Sequence, residues 1–368
     1  MKKKNLCKTL LKTMCIVLGI LILALLAYIV YLYASYYRIE DNQELVVEAP
    51  VDDTTTGAAA VLATDTEYSA VTYNIGFGAY LPDYSFFMDG GTSSWAESPE
   101  TVQYAINGAG ELVKSLDPDF ALIQEIDLDA TRSYHTDEYE MLRSLLPEYT
   151  TVFAQNYDSA FLFYPFTQPH GSSRAGLGLF SKYPVSSALR RSFPISTSFS
   201  KFFDLDRCYS VSRIPVDNGR ELVIFNLHMS AYGNSDEIRK GQIEMLCNDM
   251  AKEYEAGNYV LCGGDFNHDL KASEEDTESC ESWAFPFPRT ELPEHFAFCL
   301  DLLSTEEQAA LWNSARNADM EYVPGVTYTV TLDGFIISDN IECLSYENVN
   351  TGYSYSDHDP VKVEFVLK

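Results

Sequence analysis

Tyr355-Ser356-Asp357-His358-Asp359-Pro360-Val361 runs straight into Lys362-Val363-Glu364-Phe365-Val366. The second stretch alternates apolar and charged residues, the period of a half-buried strand. The first sets an Asp-His pair at the mouth of that strand, where a metal ligand and a general acid or base stand side by side. An Asp-His dipeptide alone is a common solvated turn. It gains force from Val260-Leu261-Cys262-Gly263-Gly264-Asp265-Phe266-Asn267 upstream, a second apolar run that ends on polar groups.

Other strand ends follow the same rule. Tyr73-Asn74-Ile75, Ile123-Gln124-Glu125 and Phe225-Asn226-Leu227-His228 each close an apolar run, and Leu332-Asp333-Gly334-Phe335 opens one. Burying such groups is costly unless they converge on a shared site. Oxygen donors from Glu125 and Asp357 suit a hard cation such as Mg²⁺. His228 and His358 can protonate near neutral pH or donate to a phosphoryl group, and Gly263-Gly264 lets the backbone turn tightly beside a ligand.

Arg132 and Arg174 are scarce cations, one just beyond Glu125 and one just before Gly176. They would suit a phosphate, although an ordinary ion pair is the plainer reading. The aromatic group Tyr157, Phe161, Phe163, Tyr164 and Phe166 is read as core packing ahead of contact with substrate or lipid. His135, His170, His268 and His295 fit no pattern and are expected on the surface or in loops.

Taken in order, these stretches resemble the endonuclease/exonuclease/phosphatase superfamily, which spans deoxyribonucleases, neutral sphingomyelinases and inositol-polyphosphate 5-phosphatases. The resemblance covers residues 68–368. It rests on Tyr73-Asn74-Ile75, Gln124-Glu125-Ile126-Asp127, the run from Gly176 to Pro184, Asn226-Leu227-His228, Gly264-Asp265-Phe266-Asn267, Asp333-Gly334-Phe335 and Ser356-Asp357-His358-Asp359-Pro360. It implies an α/β fold, a four-layered α/β/β/α sandwich of two packed mixed β-sheets. It implies Glu125 as the main metal ligand, helped by Asn74 and Asp357. Asp265 and Asn267 would orient or deprotonate the attacking water and contact the phosphate. Asp333 would hold His358 as a cationic donor, and His228 would be the second imidazole.

The implied activity is Mg²⁺-dependent hydrolysis of a phosphodiester or phosphomonoester by in-line attack of water, with Mn²⁺ or Ca²⁺ as alternatives. A lipid head group or small phosphodiester is favoured as substrate. An extracellular nuclease on DNA or RNA is the runner-up. A catalytically inactive surface binding protein is the alternative of another class, disfavoured because no member of the residue set is missing.

Composition supports this frame. The chain has 368 residues, 46% hydrophobic and 13% aromatic, enough for a large core and incompatible with disorder throughout. Lys2, Lys3, Lys4, Lys8 and Lys12 lie in the first 36 residues without an acid, which leaves 20 basic residues against 54 acidic ones in the rest. So acidic a surface repels polyanions unless a metal intervenes, and no Lys/Arg track follows a phosphate backbone.

Met14 to Tyr33 is uncharged, and at 1.5 Å per residue such a run matches a hydrocarbon core of about 30 Å. The preceding lysines place the N-terminus in the cytoplasm and the rest outside, as a single-pass cell-membrane protein. An anchor is preferred to a cleaved signal peptide, because the apolar run is long and Leu32-Tyr33-Ala34 lacks a small-x-small site.

The expected organisation is a basic tail (1–12), a transmembrane anchor (13–36), a linker (37–66) and a catalytic domain (67–368) with an insertion at 270–325. Strands are expected at Ser69–Ile75, Phe120–Gln124, Leu177–Ser181, Leu222–Leu227, Tyr259–Cys262, Thr327–Thr331, Gly334–Ile337 and Val361–Leu367. Helices are expected at Tyr104–Leu116, Glu138–Leu146 and Ser235–Tyr254. Eight cysteines include no Cys-x-x-Cys, which disfavours zinc. No protein partner is evident.

Overall fold

The structure is a computed structural model that describes residues 2–52, 61–231, 236–273 and 284–368. It divides into two units, residues 1–38 and 39–368. The first is one helix, α1 (Lys2–Ser35). Its segment Leu6–Ser35 is long and apolar enough to cross a membrane, a test that an N-terminal signal sequence also passes.

The second unit opens with two short strands, β1 (Gln43–Glu44) and β2 (Val47–Glu48), followed by β3 (Glu67–Asn74), α2 (Pro99–Leu116) and β4 (Phe120–Ala130). Next come α3 (Glu138–Leu145), β5 (Thr150–Asp158), β6 (Ser173–Ser181), β7 (Ser187–Ser192), β8 (Cys208–Pro215) and β9 (Glu221–His228). Helix α4 (Asp236–Glu255) leads to β10 (Tyr259–Asp265), β11 (Phe296–Phe298), α5 (Thr305–Ala310) and β12 (Ala315–Arg316). Strands β13 (Thr329–Val330), β14 (Asp333–Ser338), β15 (Ile341–Asn348) and β16 (Val361–Leu367) complete it.

Two seven-stranded mixed sheets result, in the orders β1-β7-β8-β9-β10-β14-β11 and β15-β16-β3-β4-β6-β5-β2. Each contains one parallel pair, β9 with β10 and β3 with β4. Parallel neighbours need a crossover, and α4 and α2 supply the two. Phe120, Leu122 and Leu179 of one sheet pack with Val223, Phe225 and Leu261 of the other, forming the central layer. The odd residues Ala121 and Ile123 face the opposite way, under α2 and α3, as the period of two demands. Ile243, Leu246, Cys247 and Met250 recur at helical spacing on α4 and pack on the other sheet. The layers are therefore α/β/β/α, as expected.

Local chemistry sets the boundaries. Ser98 caps α2 by accepting from the Thr101 N–H, Pro99 stands in its first turn, and Asp117 ends it in a left-handed conformation. This start precedes the expected Tyr104 because the first turn is polar.

The linker expectation for 37–66 differs from the observed chain. Residues 43–48 pair with β7 and β5, and Leu62 is wholly buried. Arg190, also wholly buried, holds the carbonyls of Glu40, Gln155 and Asp206, which ties this segment to the sheet. The expected insertion at 270–325 contributes the edge strand β11 and the short β12, with residues 274–283 outside the described part. All described cysteines are free, and Cys262 is a core residue.

Candidate active site

Three of the four parallel-paired strands deliver a polar side chain at their carboxyl end. Asn74 ends β3, His228 ends β9 and Asp265 ends β10, while register places Asp265 opposite both His228 and Asp333. The two sheets meet here through polar bridges. Gln124 Nε2 donates to Asn226 Oδ1 at 2.8 Å, and Asn74 Nδ2 donates to Glu125 Oε1 and Asp265 Oδ2, both at 3.1 Å. Buried polar groups thus satisfy one another across the sandwich.

Glu125 reaches this cluster because β4 is irregular beside it. The register with β6 shifts between Ile123 and Ile126, and Glu125 has φ of 57°. A bulge of this kind re-aims a side chain, and left-handed backbone at a non-glycine residue stores strain. Gly264 has φ of 148°, and a Cβ there would stand 2.1 Å from the Leu227 carbonyl oxygen. Only glycine permits β10 to lie so close to β9 just before Asp265.

Asp333 Oδ2 accepts from His358 Nδ1 at 2.7 Å and from Ser314 Oγ at 2.7 Å. Burial alone would push the His358 imidazole down, but the Asp333 carboxylate, with Asp265 and Asp357 behind it, holds it well above the usual range. His358 Nε2 lies 3.9 Å from Asp265 Oδ2. His228 has the opposite fate. Burial, then the charges of Arg207, His358 and Arg132, keeps it well below the usual range and neutral, with Nε2 3.5 Å from Asp265 Oδ2 and 3.9 Å from Glu125 Oε1.

Asp265 is pushed up to about 7 by burial, with His358 opposing and Asp333 adding. The Asn267 N–H donates to its Oδ1 at 2.8 Å, while Asn267 Nδ2 is tied to the Met229 carbonyl at 2.9 Å. Asp357 is pushed up to about 6 by burial, and Glu125 repels it further.

This arrangement bears on a metal. The Glu125 carboxylate raises the cost of ionising Asp357, and the Asn74 amide is hydrogen-bonded to Glu125. An all-oxygen donor set of this kind fits a hard divalent cation, which would relieve the repulsion. Asp265, Asp333 and His358 also place one ligand atom each within 4.8 Å of one another. Within that trio, Asp333 and His358 are already hydrogen-bonded to each other.

The cavity above these residues has a volume of about 410 Å³ and is lined by Glu125, His228, Asp265, Asn267, Asp357 and His358. Asn74 and Asp333 stand behind them. Of the two arginines singled out from sequence, Arg132 lines the cavity but is held by Asp127 through Nε at 3.0 Å and Nη2 at 2.8 Å. It also lies 3.7 Å over the Phe77 ring. Arg174 is not brought in. It is exposed and pairs with Asp129 at 3.2 Å, so the ion-pair reading applies to it.

Three basic residues of the lining were missed. Arg207 and Arg316 are scarce cations by the same argument that singled out Arg132. His170, expected on the surface or in a loop, lies in a loop but is buried against Phe86 and Phe87, and burial lowers it to about 3. His268 is also buried, packed on Phe287 with Nδ1 2.6 Å from the Phe266 carbonyl. Among the aromatic group, core packing holds for Tyr157 alone. Phe163, Tyr164 and Phe166 are exposed, because they ride a loop beyond the end of β5.

Two packed mixed sheets with acids and imidazoles gathered at their strand ends are the fold of a phosphoesterase or nuclease. A model of the Endonuclease/Exonuclease/phosphatase family matches residues 71–302, and the chain belongs to that family, whose members hydrolyse phosphate esters.

The chain is similar to the endonuclease/exonuclease/phosphatase from Bacteroides vulgatus, with TM-score 0.54 and 17% identity over 83% of this chain and 100% of that one. It is similar to D. rerio TDP2 complexed with single strand DNA product, with TM-score 0.54 and 14% identity over 82% and 99%. It is also similar to ANGEL2, a 2',3'-cyclic phosphatase in complex with adenosine-2',3'-vanadate, with TM-score 0.56 and 12% identity over 82% and 96%. At these identities the likeness is one of fold. No curated protein sequence matches the chain.

Proposed function

We propose that this protein is a metal-dependent phosphoester hydrolase that acts on a small phosphodiester or phosphomonoester outside the membrane, with α1 as its anchor. The observation that carries the reading is the convergence of Glu125, His228, Asp265, Asn267, Asp357 and His358 from separate parts of the chain on one cavity, with Asn74 and Asp333 bonded behind them.

Glu125, Asp357 and Asn74 would hold the cation, with Mg²⁺ first by donor type and Mn²⁺ or Ca²⁺ as alternatives. When bound, it supplies Lewis-acid stabilisation of the phosphoryl oxygens. The side chains do the rest. Asp333 keeps His358 as an imidazolium whose Nδ1–H it accepts, so Nε2–H is the proton offered to a phosphoryl oxygen. Asp265, poised near 7, accepts the proton of the attacking water. The Asn267 N–H steadies that carboxylate, and its side chain contacts the phosphate. Neutral His228 keeps Nε2 beside Asp265 and Glu125, where the nucleophile forms. The new P–O bond forms in line with the one that breaks.

The cavity volume favours a head group or small ester, and the acidic surface disfavours long nucleic acid. A nuclease is the second reading, supported by the similarity to TDP2 complexed with single strand DNA product. Hydrolysis of sphingomyelin, phosphatidylinositol phosphate, bis-p-nitrophenyl phosphate and plasmid DNA by the purified chain, with Mg²⁺ and with EDTA, separates them. Turnover of a small or lipid ester above DNA supports the reading, and turnover of DNA alone favours the second.

A further inference from the structure

Three arginines line the cavity, and they differ in what they hold. Arg132 is engaged by Asp127. Arg316 gives Nη1 to the Asn317 carbonyl at 3.0 Å and Nη2 to the Leu81 carbonyl at 2.9 Å. Arg207 is different. Its side chain is only 8% exposed, yet among the described residues neither Nε nor Nη1 has a hydrogen-bond acceptor. Asp204 Oδ1 stands 3.8 Å from Nε, beyond hydrogen-bond reach.

A buried donor without an acceptor is destabilising, and more so when charged. The chain has 54 acidic residues, so a satisfying carboxylate was chemically at hand. Neither is the guanidinium on a free tether. Its residue directly precedes β8, and its carbonyl accepts from the Phe193 N–H at 2.9 Å. Phe203, Asp204 and Leu205 of the same segment line the cavity beside it.

Its position lies off the centre of the reactive cluster. Sheet order puts β8 on the far side of β9 from β10 and β14, so Asp265 and Asp333 lie on one side of His228 and the start of β8 on the other. Arg207 stands just ahead of the Tyr209–Leu227 register pair, beside the end of β9.

We propose that Arg207 binds an anionic group of the substrate other than the phosphoryl under attack, so that the substrate is a small phosphate ester with a second phosphate, sulfate or carboxylate. That the anion belongs to a substrate rests on the hydrolase reading. That Arg207 binds an anion does not.

The test uses the full chain in detergent. Calorimetric titration with inorganic pyrophosphate in metal-free buffer compares wild type with Arg207→Gln, Arg207→Ala and Arg207→Lys. Wild type is expected to bind, Arg207→Ala and Arg207→Gln about tenfold more weakly or worse, and Arg207→Lys in between. Thermal melts accompany the titration. Because Nε and Nη1 have no acceptor and the Asp204 pair is long, Arg207→Gln is expected to melt no lower than wild type, whereas a structural arginine would show a drop.

A second arm measures kcat/KM for thymidine 5′-(p-nitrophenyl phosphate) with and without a 3′-phosphate. Wild type should prefer the 3′-phosphorylated compound by about tenfold, and Arg207→Ala should lose that preference. Absence of pyrophosphate binding by wild type, or equal binding by folded Arg207→Ala, overturns the proposal. If wild type binds pyrophosphate but turns over neither ester, the hydrolase reading fails while the Arg207 anion site stands.

Discussion

His358 carries its charge because Asp333 is buried behind it, and the two act as one device. Asp333→Asn removes the carboxylate that outweighs burial, so the imidazole loses its proton and its value as a donor. Turnover is expected to fall about 10²-fold or more, measured as kcat on a p-nitrophenyl ester. A fall of less than about threefold would detach the pair from the chemistry. Glu138 tests electrostatics away from the site. Burial, with the Asp127 carboxylate nearby, raises it well above 4.5 against the Asp127 N–H and Arg132. The folded protein therefore keeps a proton that the unfolded chain releases. Its stabilising contribution is full below about pH 4.5 and is lost as pH rises through the folded value. Glu138→Gln should flatten the decline of Tm as pH rises above about 4.5; a profile parallel to wild type contradicts this. At this scale the acids and imidazoles were legible because each ends or opens an apolar strand, where a solvated role is implausible. Arg207 and His170 were not, because the loops that bury them give no periodic signal.

Among the elements, β10 depends on a single backbone feature. Gly264→Ala would force a Cβ against the Leu227 carbonyl in a conformation that L residues avoid, at a cost of about 3 kcal/mol or more. Urea denaturation measures it, and a change below about 1 kcal/mol would mean that the β9–β10 approach is looser than described. The N-terminal strands make a second case. A chain starting at residue 67 lacks β1, β2, the Ile39 N–H bond to Asp206 and the Tyr139 bond to Glu48. It is expected to melt several degrees below a chain starting at Ile39, and equal melting would return 39–66 to the status of a linker. Strands such as β10 and β16 were readable from apolar runs or strict alternation. β7 was not, because Arg190 and Arg191 break its apolar face, with Arg190 buried only by virtue of the carbonyls it holds. β15 escaped because a register shift between Cys343 and Ser345 interrupts the period of two. The mixed pairing around two parallel pairs followed from the family resemblance, not from any one strand.

For the whole molecule, the strongest contrast is between the apolar α1 and the acidic unit that follows. If α1 is an anchor, the full chain stays with membranes after alkaline carbonate extraction, and residues 39–368 appear free only when α1 is deleted. Release of a shortened natural product would assign α1 to a signal sequence. The residues gathered around the cavity are proposed to hydrolyse a phosphate ester with the help of a divalent cation. The most direct test of that role is the rate of bis-p-nitrophenyl phosphate hydrolysis by wild type, Glu125→Gln and His358→Ala during a Mg²⁺ titration begun in EDTA. The predicted result is no turnover in EDTA, saturable recovery by wild type, and a rate about 10²-fold lower or less in both variants with folding intact. Turnover by wild type that persists undiminished in EDTA, or variants that match wild type at saturating Mg²⁺, would contradict it.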